Sequence, residues 1–188
     1  MIDKKTIKAI GFDVDGTLYK HSTESSIDIG QATVQKAVAL LGRGDDDFVQ
    51  EFLERREIYR GNTLTLKSFG LDGEKIFQGI IDQFPIEKYV KQDLKLQKTI
   101  ASLKKKYKLF IISNGTRRHV ERKLKVLGLR PADFDPMICC YDHNWVKPEP
   151  APFLLAIESL KLEPENIVYV GDREDLDIEG ASSAGMQT

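Results

Sequence analysis

Residues 7 to 17 read Ile7-Lys8-Ala9-Ile10-Gly11-Phe12-Asp13-Val14-Asp15-Gly16-Thr17. The apolar part, Ile7 to Val14, mixes Ile, Phe and Val and ends among aspartates and a glycine. Such a run is read as a buried strand entering a turn. Lys108 to Ile112, closed by Ser113-Asn114-Gly115, has the same form, as does Ile167 to Val170, closed by Gly171-Asp172. Met137 to Tyr141 predicts another short strand, followed shortly by Lys147. Helical patterns fill the gaps over 94–106, 117–127 (stopped by Gly128), 149–160 (opened by prolines) and 175–184 (stopped by Gly185). Alternating strands and helices predict an α/β fold, a Rossmann-like parallel sheet with helices on both faces. Ligands of such sheets bind beyond the carboxyl ends of the strands.

The segment between the first strand and residue 92 is different, because nothing in it alternates like a strand. Residues 18–28 are polar and Ser-rich and read as loop. Ile29 to Leu41 predicts a helix with Gly42 as its stop. Asp45-Asp46-Asp47 opens a second helix through capping and the dipole, running to Tyr59 and broken by Gly61. Short helices are expected over 63–69, 72–83 and 86–91, punctuated by Gly70, Gly73 and Pro85.

Composition narrows the function classes. The 188 residues carry 28 Lys and Arg against 29 Asp and Glu, a formal charge of −1. With no basic face expected, nucleic acid is not an expected partner. The longest apolar runs, such as Ala37 to Leu41, are far too short to span a bilayer, and the N-terminal Met1 to Lys5 has no signal-peptide core. Cys139 and Cys140 are adjacent, a poor geometry for a disulfide, and read as ordinary buried strand residues. Free thiols suit a reducing compartment, so a cytoplasmic protein is expected. Oligomeric state is left open.

Four strand-end clusters converge on one edge of a parallel sheet: Asp13/Asp15/Thr17, Ser113/Asn114/Gly115, Lys147-Pro148, and Asp172 with Asp177. Clustered carboxylates repel and need counter-charge, part of it from Lys147 and the rest from a divalent cation. Hard oxygen ligands without a Cys or His cluster favour Mg²⁺ over zinc. A Mg²⁺ beside a lysine and hydroxyl or N–H donors suits a phosphoryl group. A carboxylate facing phosphorus can act as a nucleophile, and a second one two residues on can serve as acid and base.

Asp13-Val14-Asp15-Gly16-Thr17-Leu18-Tyr19, Ser113-Asn114-Gly115, Lys147-Pro148 and Gly171-Asp172-Arg173-Glu174-Asp175-Leu176-Asp177 occur in that order. The set resembles the haloacid dehalogenase superfamily of phosphohydrolases. Its layout, with Tyr59-Arg60-Gly61-Asn62-Thr63-Leu64 in the helical block, looks most like the pyrimidine 5′-nucleotidase branch. The resemblance implies a catalytic core of 1–18 and 94–188, with residues 19–93 as a helical cap that selects the substrate. It implies that Asp13 is nucleophile and metal ligand, and that Asp15 is general acid/base with its backbone carbonyl on the metal. Ser113 and the Asn114 N–H would bind the phosphoryl group, which Lys147 would hold against the nucleophile. Asp172 would ligate Mg²⁺, Asp177 would support it from behind, and Thr17 would steady the turn. True haloacid dehalogenases lack an acid at the position of Asp15.

The expected function is a Mg²⁺-dependent phosphatase acting on a small phosphorylated metabolite (a nucleotide, a sugar phosphate or phosphoglycolate) through an aspartyl-phosphate. A phosphomutase on the same core, and a non-catalytic phospho-Asp signalling or binding protein, are the alternatives. Asp175 reads as a helix-start residue, Arg60 as a solvated helix-end residue and Trp145 as loop packing. His21, His119 and His143 read as scattered. In the resembled family a fifth strand follows the segment equivalent to Ala184-Gly185-Met186. Here only Met186-Gln187-Thr188 remain, so that final edge strand is expected to be missing and Ile167 to Val170 to be an exposed edge.

Overall fold

A computed structural model describes residues 6–20 and 22–188. The expectations for His21 and for Met1 to Lys5 fall outside the described residues.

Four strands, β1 (Ala9–Phe12), β2 (Lys108–Ser113), β3 (Met137–Cys139) and β4 (Ile167–Val170), form one parallel sheet in the order β3-β2-β1-β4. Phe12 pairs with Ile111 on one side and Val170 on the other. Asp13 therefore leaves the sheet between the ends of β2 and β4. Gly11 belongs in β1 because a side chain there would collide with the Phe110 ring. Leu109 to Ser113 are buried without a break, so both faces of β2 are covered, as a parallel sheet requires.

Helix α5 (Leu94–Lys104) and helix α7 (Pro150–Leu160) pack on β2, and helix α6 (Arg117–Leu127) packs on β3. The core around them includes Phe110, Ile112, Ile138, Phe153 and Tyr169. Phe153 meets Tyr169 edge to face, with centroids 5.3 Å apart. Trp145 packs against this core and stacks on His143 at 4.6 Å, as the loop-packing expectation had it.

The chain divides into two units, Met1–His21 with Val90–Thr188, and Ser22–Tyr89. The second is all helical: α1 (Thr23–Leu41), α2 (Asp46–Tyr59), α3 (Asn62–Ser68) and α4 (Gly73–Gln83). Ala37, Phe48, Phe52 and Leu66 form its buried centre, with Phe69 stacked on Phe52 at 5.5 Å. Arg60 is exposed at the left-handed end of α2. Among the described residues no helix is long and apolar enough to cross a membrane.

Four local expectations change. Helix α1 begins at Thr23, not Ile29, because the side chain of Ser22 accepts from the Ser25 amide and caps it. The helix expected over 86–91 is a single 3₁₀ turn, Ile86–Lys88. Strand β3 ends at Cys139, and Cys140 opens a 3₁₀ turn; both cysteines are buried and free. The helix expected from 175 is a wide π turn, Glu174–Ile178, followed by α8 (Glu179–Ser183). The edge of β4 is also less bare than expected. Gln187 bridges to it in parallel, its N–H donating to Ile167 O at 2.9 Å and its carbonyl accepting from Tyr169 N at 2.8 Å.

Candidate active site

Beyond the carboxyl ends of the strands lies a cavity of about 220 Å³. Asp13, Asp15, Ser113, Asn114, Lys147, Asp172 and Asp177 line it, together with Arg173 and Leu176. A larger surface hollow of about 490 Å³ runs along α5, but it holds no carboxylate and none of the motif residues.

Lys147 is the hub. It is 3% exposed, and its Nζ donates to Asp13 Oδ1 at 2.7 Å and to Asp177 Oδ1 at 2.5 Å. Weaker contacts at 3.3 Å reach Ile112 O and the Tyr169 hydroxyl. That hydroxyl donates in turn to Ile112 O at 2.7 Å. Burial disfavours the charged form of a lysine. Asp13 and Asp177 more than reverse this and hold Lys147 well above the ordinary lysine range. The loop that delivers Lys147 is pinned by Asn114, whose Oδ1 accepts from the Lys147 amide at 2.9 Å.

Asp13 is 6% exposed. Burial pushes its carboxyl up from 3.8 to about 6; Lys147 opposes the rise, and Asp15 and Asp177 add to it. Carboxylate oxygens of Asp13, Asp172 and Asp177 lie within 4.8 Å of one another. Three carboxylates around one ammonium leave negative charge uncompensated, and all the donors are hard oxygens. That set fits a divalent cation of the Mg²⁺ type. Gly16 makes room for the Asp172 carboxylate: its φ is +88°, and a side chain there would run into that group. Asp177 is buried and its Oδ2 accepts from the Arg173 amide at 3.1 Å. Arg173 O takes the Asp177 amide at 2.8 Å, so the wide turn is drawn around this aspartate. Asp175 points elsewhere, pairing in two-pronged fashion with Arg173.

Ser113 is buried at the end of β2. The Thr17 hydroxyl is buried and has no hydrogen-bond partner among the described residues. The turn is closed instead by Leu18 N on Val14 O at 3.0 Å and by a bridge between Asp15 and Tyr19.

Sequence reasoning missed what surrounds Asp15. Its Oδ2 pairs with the ammonium of Lys123 on α6, and its Oδ1 accepts from the Tyr19 hydroxyl. His119, also buried on α6, adds favourable charge nearby. Burial pushes the Asp15 carboxyl up, but Lys123, Tyr19 and His119 together hold it well below the usual carboxylate range.

Comparison with known proteins identifies the family. The haloacid dehalogenase-like hydrolase family matches residues 7–185. A glyceraldehyde 3-phosphate phosphatase of Methanopyrus kandleri is 30% identical, over 97% of this chain and 82% of its own. An N-acetylmuramic acid 6-phosphate phosphatase of Pseudomonas putida is 29% identical, over 97% and 81%. The crystal structure of a HAD phosphatase from Thermococcus onnurineus superposes with a TM-score of 0.63 at 31% identity, covering 96% of this chain and 84% of that one. The strand-end motifs, the parallel sheet and these relatives agree, and the chain belongs to the haloacid dehalogenase-like hydrolase family.

Proposed function

We propose that the chain is a Mg²⁺-dependent phosphatase that hydrolyses a small phosphorylated metabolite through an aspartyl-phosphate on Asp13. The observation that carries this reading is the buried Asp13–Lys147–Asp177 array, with Asp172 beside it, facing one cavity. A Asp13 carboxylate oxygen attacks phosphorus, and the bond to the leaving oxygen breaks with its electron pair. Asp15, which must first take up a proton against the pull of Lys123, gives it to that oxygen. Asp15 then takes a proton from a water that attacks the same phosphorus, the bond to Asp13 breaks, and phosphate leaves. Ser113 and the Asn114 amide donate to the phosphoryl oxygens, and Lys147 holds them against Asp13. Asp13, Asp172 and the Asp15 carbonyl would hold the metal, with Asp177 behind them, and bound Mg²⁺ would neutralise charge on the transferred group.

In this reading the helical unit serves as the cap that selects the substrate. Sugar-type phosphates and phosphoglycolate lead the substrate classes, because relatives are phosphatases of each; nucleotides stand beside them. A cytoplasmic setting goes with the two free, buried cysteines.

Hydrolysis of p-nitrophenyl phosphate tests the chemistry. It should stop in EDTA and return with Mg²⁺; turnover under thorough chelation would remove the metal from the mechanism. A phosphate-release screen over sugar phosphates, nucleotides and phosphoglycolate identifies the substrate, and isomerised rather than free phosphate would mean a mutase.

A further inference from the structure

The residues lining the cavity include four aspartates but two cations, Lys147 and Arg173. Lys147 is buried and committed to Asp13 and Asp177. Arg173 is held differently. Its backbone is tied to the site, its amide donating to Asp177 Oδ2 at 3.1 Å and its carbonyl accepting from the Asp177 amide at 2.8 Å. Its side chain is 39% exposed, and two of its nitrogens donate to Asp175: Nε to Oδ1 at 2.9 Å, and a terminal nitrogen to Oδ2 at 2.7 Å.

This ion pair is unlike the buried ones beside it. Asp175 lies two residues along the same turn, and its side chain is 44% exposed. A pair so open to water is screened and adds little to stability. A guanidinium fork matches a carboxylate through two parallel hydrogen bonds, and any other carboxylate offers the same two acceptors. Asp175 therefore fills a two-pronged anion seat at the cavity without locking it. Exchanging one carboxylate for another keeps the charge of Arg173 matched and releases Asp175 into water, where its charge is well solvated.

We propose that Arg173 determines specificity by binding a carboxylate that the substrate carries beside its phosphoryl group, this carboxylate taking the place of Asp175. The inference rests on the phosphatase reading above and narrows its substrate to small phosphomonoesters that bear a carboxylate. The phosphoryl group goes to Ser113, Asn114 and Lys147, and the carboxylate goes to Arg173 in the wall of the same cavity.

Two pairs of esters test this. Phosphoglycolate and 2-hydroxyethyl phosphate differ only in carboxylate against hydroxymethyl, as do 3-phosphoglycerate and glycerol 3-phosphate at a longer reach. Both members of a pair present the same phosphoryl group, so damage to the turn or the metal site lowers both alike and leaves the ratio of their kcat/KM values unchanged. With Mg²⁺ present, Arg173→Met should lower the ratio of carboxylate to hydroxymethyl ester about tenfold or more in at least one pair. Asp175→Asn removes the competing carboxylate and should raise that ratio severalfold. A ratio unmoved by Arg173→Met in both pairs, or lowered by Asp175→Asn, means that the ion pair only braces the turn, and overturns the proposal. If Arg173→Met does not fold, Asp175→Asn decides alone, and an unmoved ratio then overturns it. p-Nitrophenyl phosphate is the control on the underlying reading. If the wild type hydrolyses neither it nor any of the four esters, the phosphatase reading fails. Turnover of p-nitrophenyl phosphate with none of the carboxylate esters, or with ratios that do not move, sinks the Arg173 subsite alone.

Discussion

Replacing Asp13 with Asn should abolish catalysis and, in the metal-free protein, raise stability. The wild-type site holds Asp13, Asp177 and the nearby Asp172 around a single ammonium. Burial and the neighbouring carboxylates lift Asp13 from 3.8 to about 6, despite Lys147. A carboxyl whose pKa is raised on folding favours the folded state when protonated. Its contribution is full below 3.8 and is lost as pH rises through about 6. The ionised group at neutral pH therefore costs up to about 3 kcal/mol, a little over two units at about 1.4 kcal/mol each. Asparagine keeps the shape and an oxygen for Lys147, and leaves Lys147 and Asp177 as a neutral pair. In a chain of this size each kcal/mol moves the melting temperature by roughly 2–4 °C. The assay is thermal unfolding of wild type and Asp13→Asn in EDTA at pH 7 and pH 5. The variant should melt several degrees higher at pH 7, and the gap should shrink by about 1 kcal/mol at pH 5, where the wild-type carboxyl takes up its proton. Added Mg²⁺ should stabilise the wild type more than the variant, because only the wild type keeps all three carboxylates. An Asp13→Asn protein that melts at or below wild type in EDTA at pH 7, with the same pH dependence, would refute the account of surplus buried charge.

Lys147→Met should also abolish activity but act on stability with the opposite sign. It strands Asp13 and Asp177 without their ammonium, at a cost of about 3–5 kcal/mol read from denaturant unfolding. Gly16→Ala should cost on the order of 1–2 kcal/mol for the positive φ and displace Asp172, so the Mg²⁺ concentration needed for half-maximal turnover should rise. Phe52→Ala opens a hole between Phe48 and Phe69 and should cost about 3–5 kcal/mol. Hydrogen exchange should locate that loss in residues 22–89 and leave the strands protected.

The strand ends were legible because each puts a few polar residues against an apolar run, and parallel pairing then carries those residues to one edge. Asp13, Ser113 and Asp172 needed no more than that. The N-terminus of α1 was not legible, because serine suits loops and helix caps alike, and which one Ser22 serves depends on the amide of Ser25 finding it. The π turn at Glu174–Ile178 was hidden for a different reason. It is shaped around Asp177, which is tied to Lys147 at a separation of 30 residues and back to the Arg173 amide, and no local pattern encodes both ties at once. The partner of Asp15 left a readable trace that its surroundings masked. In 117–127 the apolar positions Val120, Leu124 and Leu127 define a stripe, and Lys123 falls within it. Among Arg117, Arg118, Arg122 and Lys125 one more basic residue does not stand out by type. Position, not residue type, set it apart: a lysine three after one stripe residue and four before another must either break the packing or find a buried carboxylate. The acidic residues already assigned to the strand ends were the candidates, and the structure pairs it with Asp15.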